Sequence, residues 1–374
     1  MKTISQIKSM SGKKALVRVD YNVPLKGNKI LDTRRIDASF ATIRALQKKG
    51  LQVSLIAHLG DSQATLKPVA SYLSKHFNVK FVSNAIVGSD KKGSLIEKLP
   101  QDTVILFENI RRYEGEEKND KNFAKALAGL GDIFVNDAFS VSHRAHASVV
   151  GITKYLPSYA GIQLEKEIKN LSKLFENKKH PFLFILGGAK FDTKIPLIKR
   201  FIDSADSVVI SGAIANSFFK VAGFEIGSSV AEDSNISQIK KLLSSPKLLL
   251  PVDALVIRGK KKITLPLTEI TKGDIIVDIG LDTIRKVVEK IKKAKVIVWN
   301  GPTGWYEKGF SFGTTELAKA MKDSKAYILI GGGDTGAVVD KTIGESKNIF
   351  ISTGGGATLE YLAKGKLVGI QALK

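Results

Sequence analysis

Short, continuous apolar runs alternate along this chain with stretches in which apolar residues return at helical spacing. Runs of that length, bounded by glycine or polar residues, read as buried strands, and the periodic stretches as helices laid over them. In the first half the runs fall at 14–20, 52–58, 103–108 and 132–136, with helical patterns near 35–49, 67–77 and 119–130. A bridge covers 151–161. The rhythm then resumes, with strands predicted at 182–186, 207–211, 249–256, 296–299 and 326–330 and helices at 193–204, 214–222, 281–293 and 314–322. Strands this apolar are covered on both faces, which predicts parallel sheets and an α/β fold. The two halves share a rhythm and no repeated sequence.

At 374 residues the chain is long for one core, so two domains are expected. The expected division is 1–158, with 360–374 packing back on it, and 159–359. The fold predicted is two doubly wound, Rossmann-like parallel-sheet domains facing each other across a hinge-bending cleft. Ligands of such sheets bind where strands end, and polar residues collect there.

One corner is especially informative. AYILIGGGDTGAVV, at 326–339, runs a strand into Gly331, Gly332 and Gly333, then Asp334 and Thr335, then a helix opening. Glycines there leave backbone N–H groups unscreened, and the helix start adds its positive end, which suits a phosphate group. Asp334 beside a polyphosphate is the natural holder of Mg²⁺. The plainer reading is a tight turn without a ligand. Similar corners recur: LFILGGAKFDTK carries Gly187, Gly188, Lys190 and Lys194, and VWNGPTGWYE carries Asn300, Gly304 and Glu307, a carboxylate able to hold a ribose hydroxyl. The Walker pattern is absent. A GxGxxG at Gly331, Gly333 and Gly336 has no acidic residue after the next strand, as a dinucleotide site requires, and is incidental.

The first half instead collects cations. Arg18, Asp20 and Asn22 lie in LVRVDYNVP, Arg35 opens a helix, His58 ends IAHLG, Arg111 closes LFENIR and Arg144 lies in VNDAFSVSHRAH. A single arginine is ordinarily a surface residue. Several recurring after apolar strands point to a small, doubly anionic ligand.

Charge and composition change this picture little. The balance of 58 Lys+Arg against 36 Asp+Glu gives a net +22, which admits nucleic acid or another polyanion as partner. Much of the excess is lysine on expected helix faces, such as Lys286, Lys290, Lys292, Lys293 and Lys295, where solvation is the ordinary fate. Aromatics make up 7%, with no stacking platform for single strands. There is no cysteine, so disulfides and thiolate metal sites are excluded. MKTISQIKSM has no apolar signal core and no apolar run reaches about 20 residues, so a cytoplasmic protein without membrane contact is expected.

An anionic-metabolite site on one domain and a nucleotide-like site on the other suggest phosphoryl transfer. At these residues the chain resembles the phosphoglycerate kinases over nearly its whole length. The shared motifs are VRVDYNVP, HLG, LFENIR, NDAFSVSHRAHAS, AGIQLEKEI, ILGGAKFDTKI, LLPVD, WNGPTG, GGGDT and STGGGATLEYL, in family order. The resemblance implies reversible phosphoryl transfer between 1,3-bisphosphoglycerate and Mg·ADP, giving 3-phosphoglycerate and Mg·ATP, by a monomer. It implies a phosphoglycerate site of Asp20, Asn22, Arg35, His58, Arg111 and Arg144, with Arg18 supporting it from behind. The implied nucleotide site comprises Gly188, Lys190, Lys194, Asn300, Glu307, Gly331, Gly332, Gly333, Asp334 and Thr335, with Asp334 on the metal. Arg35 and Lys190 are the implied catalytic pair, and a hinge is implied near 161–174 and where the chain returns to the first domain.

Three departures stand out. The family continues His-Leu-Gly into Arg-Pro and a longer loop, whereas here Asp61 stands in place of the arginine, which puts phosphoglycerate affinity at issue. The glycine run after VIS is thinned to Ser211, Gly212 and Ala213, and Leu281 stands where proline is usual. Altered packing around adenine, without lost binding, is expected. The alternative is a kinase-derived polyanion binder with weakened catalysis, with a dinucleotide oxidoreductase a distant third.

Overall fold

The computed structural model describes residues 1–83, 99–176, 179–189, 191–344 and 346–373. By Cα proximity the chain divides into two compact units: Met1–Lys169 with Lys364–Lys374, and Asn170–Ala363.

In the first unit the strands are Lys14–Arg18 (β1), a small hairpin of Leu25–Lys26 and Lys29–Ile30 (β2, β3), Gln52–Ile56 (β4), Val79–Val82 (β5), Val104–Phe107 (β6), Ile133–Asn136 (β7) and Ser158–Ala160 (β8). Six of them form one parallel sheet in the order β5-β6-β4-β1-β7-β8. β1 sits between β4 and β7, with Val17 opposite Leu55 on one side and Val135 on the other. Every residue of β4, β6 and β7 is buried, the burial expected of a sheet covered on both faces. One face packs Val17, Val53, Leu106 and Val135 against Ile36, Ile43 and Leu46 from the helices after β3. The helical stretch expected over 35–49 is two helices, Arg34–Ala38 and Phe40–Lys48. The segment 364–374 buries Leu367 and Leu373, and Gly369 N–H donates to Ser142 O at 2.8 Å.

The second unit has a parallel sheet of Phe182–Leu186 (β9), Ser207–Ile210 (β10), Leu248–Leu249 (β11), Val296–Asn300 (β15), Tyr327–Gly331 (β16) and Ile349–Ile351 (β17), ordered β11-β10-β9-β15-β16-β17. The chain works outward from β9 to one edge and from β15 to the other, so the strand order reverses between them. Beside it lies a three-stranded antiparallel sheet of Asp253–Arg258 (β12), Lys261–Pro266 (β13) and Asp274–Ile279 (β14), with β12 in the middle.

That second sheet departs from the expected rhythm. The single strand expected over 249–256 is two strands in different sheets, parted at Pro251, which has no N–H for a ladder. β13 escapes detection because it is half solvent-facing and begins with lysines. The short edge strands β5 and β8 and the helix Ile236–Leu243 were also absent from the sequence expectation.

Candidate active site

Parallel strands put all their C-terminal ends on one edge, and in the first unit that edge carries the cations. Asp20 and Asn22 follow β1, His58 follows β4, Arg111 follows β6 and Arg144 follows β7. The Arg35 guanidinium lies 3.2 Å from the Asp20 carboxylate and also donates to Asn22 O at 3.2 Å. Asn22 Oδ1 accepts the Gly60 N–H at 2.9 Å, tying β1's end to the loop after His58, and Arg111 donates to Gly60 O from the other side.

His58 is the centre of this cluster. It is 4% exposed, and burial, reinforced by Arg18, Arg111, Arg144 and Arg35, pushes its pKa down to about 2. The ring is therefore neutral throughout the physiological range. Arg18 Nη2 lies 3.1 Å from His58 Nδ1. A guanidinium can only donate, so Nδ1 accepts and the ring proton sits on Nε2. The structure thus brings Asp20, Asn22, Arg35, His58, Arg111 and Arg144 together.

The loop carrying the Asp61 departure is built by two buried side chains missed in the sequence reading. Asn109 Nδ2 donates to Leu59 O, Asp61 O and Ala64 O at 2.8, 2.7 and 3.0 Å. Glu108 accepts from Thr65 Oγ1 and Leu66 N–H at 2.7 and 2.8 Å. Asp61 closes the turn, its carboxylate accepting the Gln63 and Ala64 N–H groups at 2.9 and 3.2 Å. Here the aspartate is a turn former.

In the second unit a cavity of about 580 Å³ opens at the strand ends flanking the reversal. Ligand pockets commonly measure roughly 300–1,000 Å³. Gly188, Lys194, Asn300, Glu307, Asp334 and Thr335 line one part, and Phe219, Val230, Ile276 and Val277 give an apolar part. Gly332 and Gly333 also line it, whereas Gly331 ends β16 just behind. Lys190 lies outside the described residues. Lys194 is 8% exposed and donates to Gly187 O.

The glycine corners differ in kind. Gly187 and Gly188 spend their N–H groups on Asn300 O and Pro302 O at 2.8 and 2.7 Å, so they serve close backbone packing and offer no phosphate cradle. At Gly332–Thr335 the helix Gly333–Ile343 begins, and its first N–H groups precede the first intrahelical bond. Thr335 Oγ1 is buried without a hydrogen-bond partner. Burial and the nearby Glu307 carboxylate raise the Asp334 pKa above its ordinary value. An orphaned hydroxyl, a helix start and paired carboxylates fit a polyphosphate carrying a divalent cation.

A family profile described as phosphoglycerate kinase matches residues 4–366. The phosphoglycerate kinase of Borreliella burgdorferi (strain ZS7) is 41% identical over 392 residues, covering 100% of this chain and 99% of the relative. That of Dictyoglomus turgidum is 40% identical over 394 residues, with the same coverages. The solved phosphoglycerate kinase of Coxiella burnetii is 34% identical with a TM-score of 0.84, covering 99% of this chain and 97% of that one. The Pyrococcus horikoshii structure is 30% identical with a TM-score of 0.88, covering 100% and 98%. Fold, cluster and cavity, with these likenesses, define a kinase built from two parallel-sheet α/β domains. The chain belongs to the phosphoglycerate kinase family, and its activity is the glycolytic one of that family.

Proposed function

We propose that the arginine cluster of the first unit binds 3-phosphoglycerate or 1,3-bisphosphoglycerate and that the cavity of the second binds ADP or ATP. The observation carrying this reading is a neutral, buried His58 ringed by four arginines, an arrangement suited to a small molecule with several negative charges. Arg35, Arg111 and Arg144 supply charge, the Nε2–H of His58 supplies a hydrogen bond, and Asp20 aims Arg35. Lys194, Asn300 and Thr335 face the nucleotide phosphates, Glu307 a ribose hydroxyl, and Asp334 holds Mg²⁺. When bound, Mg²⁺ neutralises charge on the phosphate oxygens.

In the ATP-forming direction the nucleophile is an already ionised ADP oxygen, so no base is required. The residues' work is positioning and electrostatic stabilisation. Arg35 and Lys190 neutralise charge on the group in transit. The two sites belong to separate units, and we infer that transfer is accompanied by a hinge motion. The helix Ile162–Glu176 runs from one unit into the other, and we assign the hinge to it. A glycolytic role places the enzyme in the cytoplasm, and we take it to act as a monomer, with polyanion binding no part of its main task.

The test is Arg35→Ala and Lys190→Ala, each checked for fold by circular dichroism. Steady-state turnover with Mg·ATP and 3-phosphoglycerate should fall about 10²–10³-fold, the loss typical of a removed charge-stabilising donor. Turnover retained in either folded variant overturns that residue's role.

A further inference from the structure

Behind His58 runs a buried hydrogen-bonded chain. Arg18 is 1% exposed; its Nε donates to Ser148 Oγ at 2.9 Å, Nη1 to Val19 O at 2.7 Å and Nη2 to His58 Nδ1 at 3.1 Å. Ser148 is held in turn by Glu116, which accepts the serine hydroxyl at 2.6 Å and the Ser148 N–H at 3.0 Å. Glu116 is also 1% exposed. Burial opposes its ionisation, yet the nearby His146, the charge of Arg18 and the hydrogen bonds from Ser148 hold its pKa below the ordinary value.

The two ends of this chain are chemically one-sided. An ionised carboxylate only accepts and a guanidinium only donates. The Ser148 hydroxyl must therefore give its proton to Glu116, which turns its lone pairs toward Arg18 Nε–H. Arg18 is then anchored with Nη2 on His58 Nδ1, and the imidazole proton is left on Nε2. The guanidinium sets the bond directions, and the carboxylate at the far end, through Ser148, holds the guanidinium in place.

We infer that Glu116 is a positioning residue of the kinase: through Ser148 and Arg18 it fixes His58 as a neutral Nε2–H donor toward the phosphoglycerate. The inference rests on the cluster being the phosphoglycerate site. Besides Arg18 and Ser148, His146 stands beside this carboxylate, its Nδ1 at 3.7 Å from the oxygen that accepts the serine hydroxyl.

Two variants test it, Glu116→Gln and Ser148→Ala, with Ser148→Thr as the conservative control. A glutamine removes the charge that anchors Arg18, and its amide can compete with Arg18 for the serine oxygen, whereas alanine removes that oxygen; either change frees the guanidinium to leave His58 Nδ1. The first readout is side-chain ¹⁵N NMR of His58 in the ligand-free protein. Wild type and Ser148→Thr should show the Nε2–H form alone, without titration between about pH 5 and 8. The other two should show mixed tautomers or a titrating ring. The second readout is kinetic: KM for 3-phosphoglycerate should rise about tenfold in Glu116→Gln and Ser148→Ala, the worth of a hydrogen bond to a charged group, with KM for Mg·ATP within about twofold. An unchanged tautomer in folded Ser148→Ala, which deletes one oxygen, overturns the chain even if Glu116→Gln does not fold. An altered tautomer with unchanged KM overturns the placement of the substrate and the role with it.

Discussion

Asp61 shows how one residue can be both a turn former and a charge. Its carboxylate holds two N–H groups of the loop, while its negative charge sits next to Gly60, whose carbonyl Arg111 grips. Asn at this position keeps the acceptor and loses the charge. Asp61→Asn should lower KM for 3-phosphoglycerate about two- to fivefold, an exposed charge being worth ~0.5–1 kcal/mol, and leave KM for Mg·ATP alone. A raised KM would mean that the carboxylate acts only by holding the loop. Arg111 and Arg144 were legible in the sequence because each follows an apolar strand, and Arg35 because it opens a helix beside them. Glu116, Ser148, Glu108 and Asn109 were not. EGEEKND reads as a solvated charge run, and only the packing of distant segments reveals that Glu116 is enclosed while Glu114 is open.

Among the elements, most strands with a continuous apolar run were found; β13, with one wet face, was missed, and so was β14 despite the apolar run in DIIVDI. β13 alternates between exposed and half-buried positions and joins β12 through Gly259–Lys260, a two-residue hairpin loop whose glycine has φ +60°. The turn signal was there; the apolar run was not. Glycine corners were legible as corners, but not what they were for. Gly212 opens a helix at φ +62°, and a Cβ there would stand 2.5 Å from Gly188 N. Gly212→Ala should therefore cost about 2 kcal/mol or more through backbone strain. It should lower the midpoint of thermal unfolding and weaken Mg·ADP binding by calorimetric titration. Unaltered melting and affinity would show that the close approach relaxes freely. Ala213, the neighbouring departure, merely lines the cavity.

For the molecule as a whole, the lysines Lys286, Lys290, Lys292, Lys293 and Lys295 are all exposed, so that part of the +22 lies in solvent. The helix Ile162–Glu176 begins on a buried acid. Asp137 accepts the N–H groups of Gln163 and Leu164 at 2.9 and 3.2 Å, and Thr42 Oγ1 that of Ile162 at 2.9 Å. Burial pushes the Asp137 carboxyl up to about 7, against the pull of those hydrogen bonds. The folded chain thus binds this proton more tightly than the unfolded one. The associated stability is full below the ordinary carboxyl range near 4 and is lost as pH rises through about 7. Across that window wild-type stability relative to Asp137→Asn should fall by about 1.4 kcal/mol per pH unit in urea titrations. A difference that stays flat with pH would rule out a titrating Asp137.

The first unit is also split along the chain, and this sets an order of events during synthesis. Residues 1–169 emerge about 195 residues before the segment 364–374 that completes their unit. At roughly 5–20 residues per second, that is a wait of about 10–40 s. During the wait the seat of Gly369, against Ser142 and Val149, has no occupant. The span 170–363 is continuous and has no such gap. The unit begun second is the first to have all of its residues synthesised.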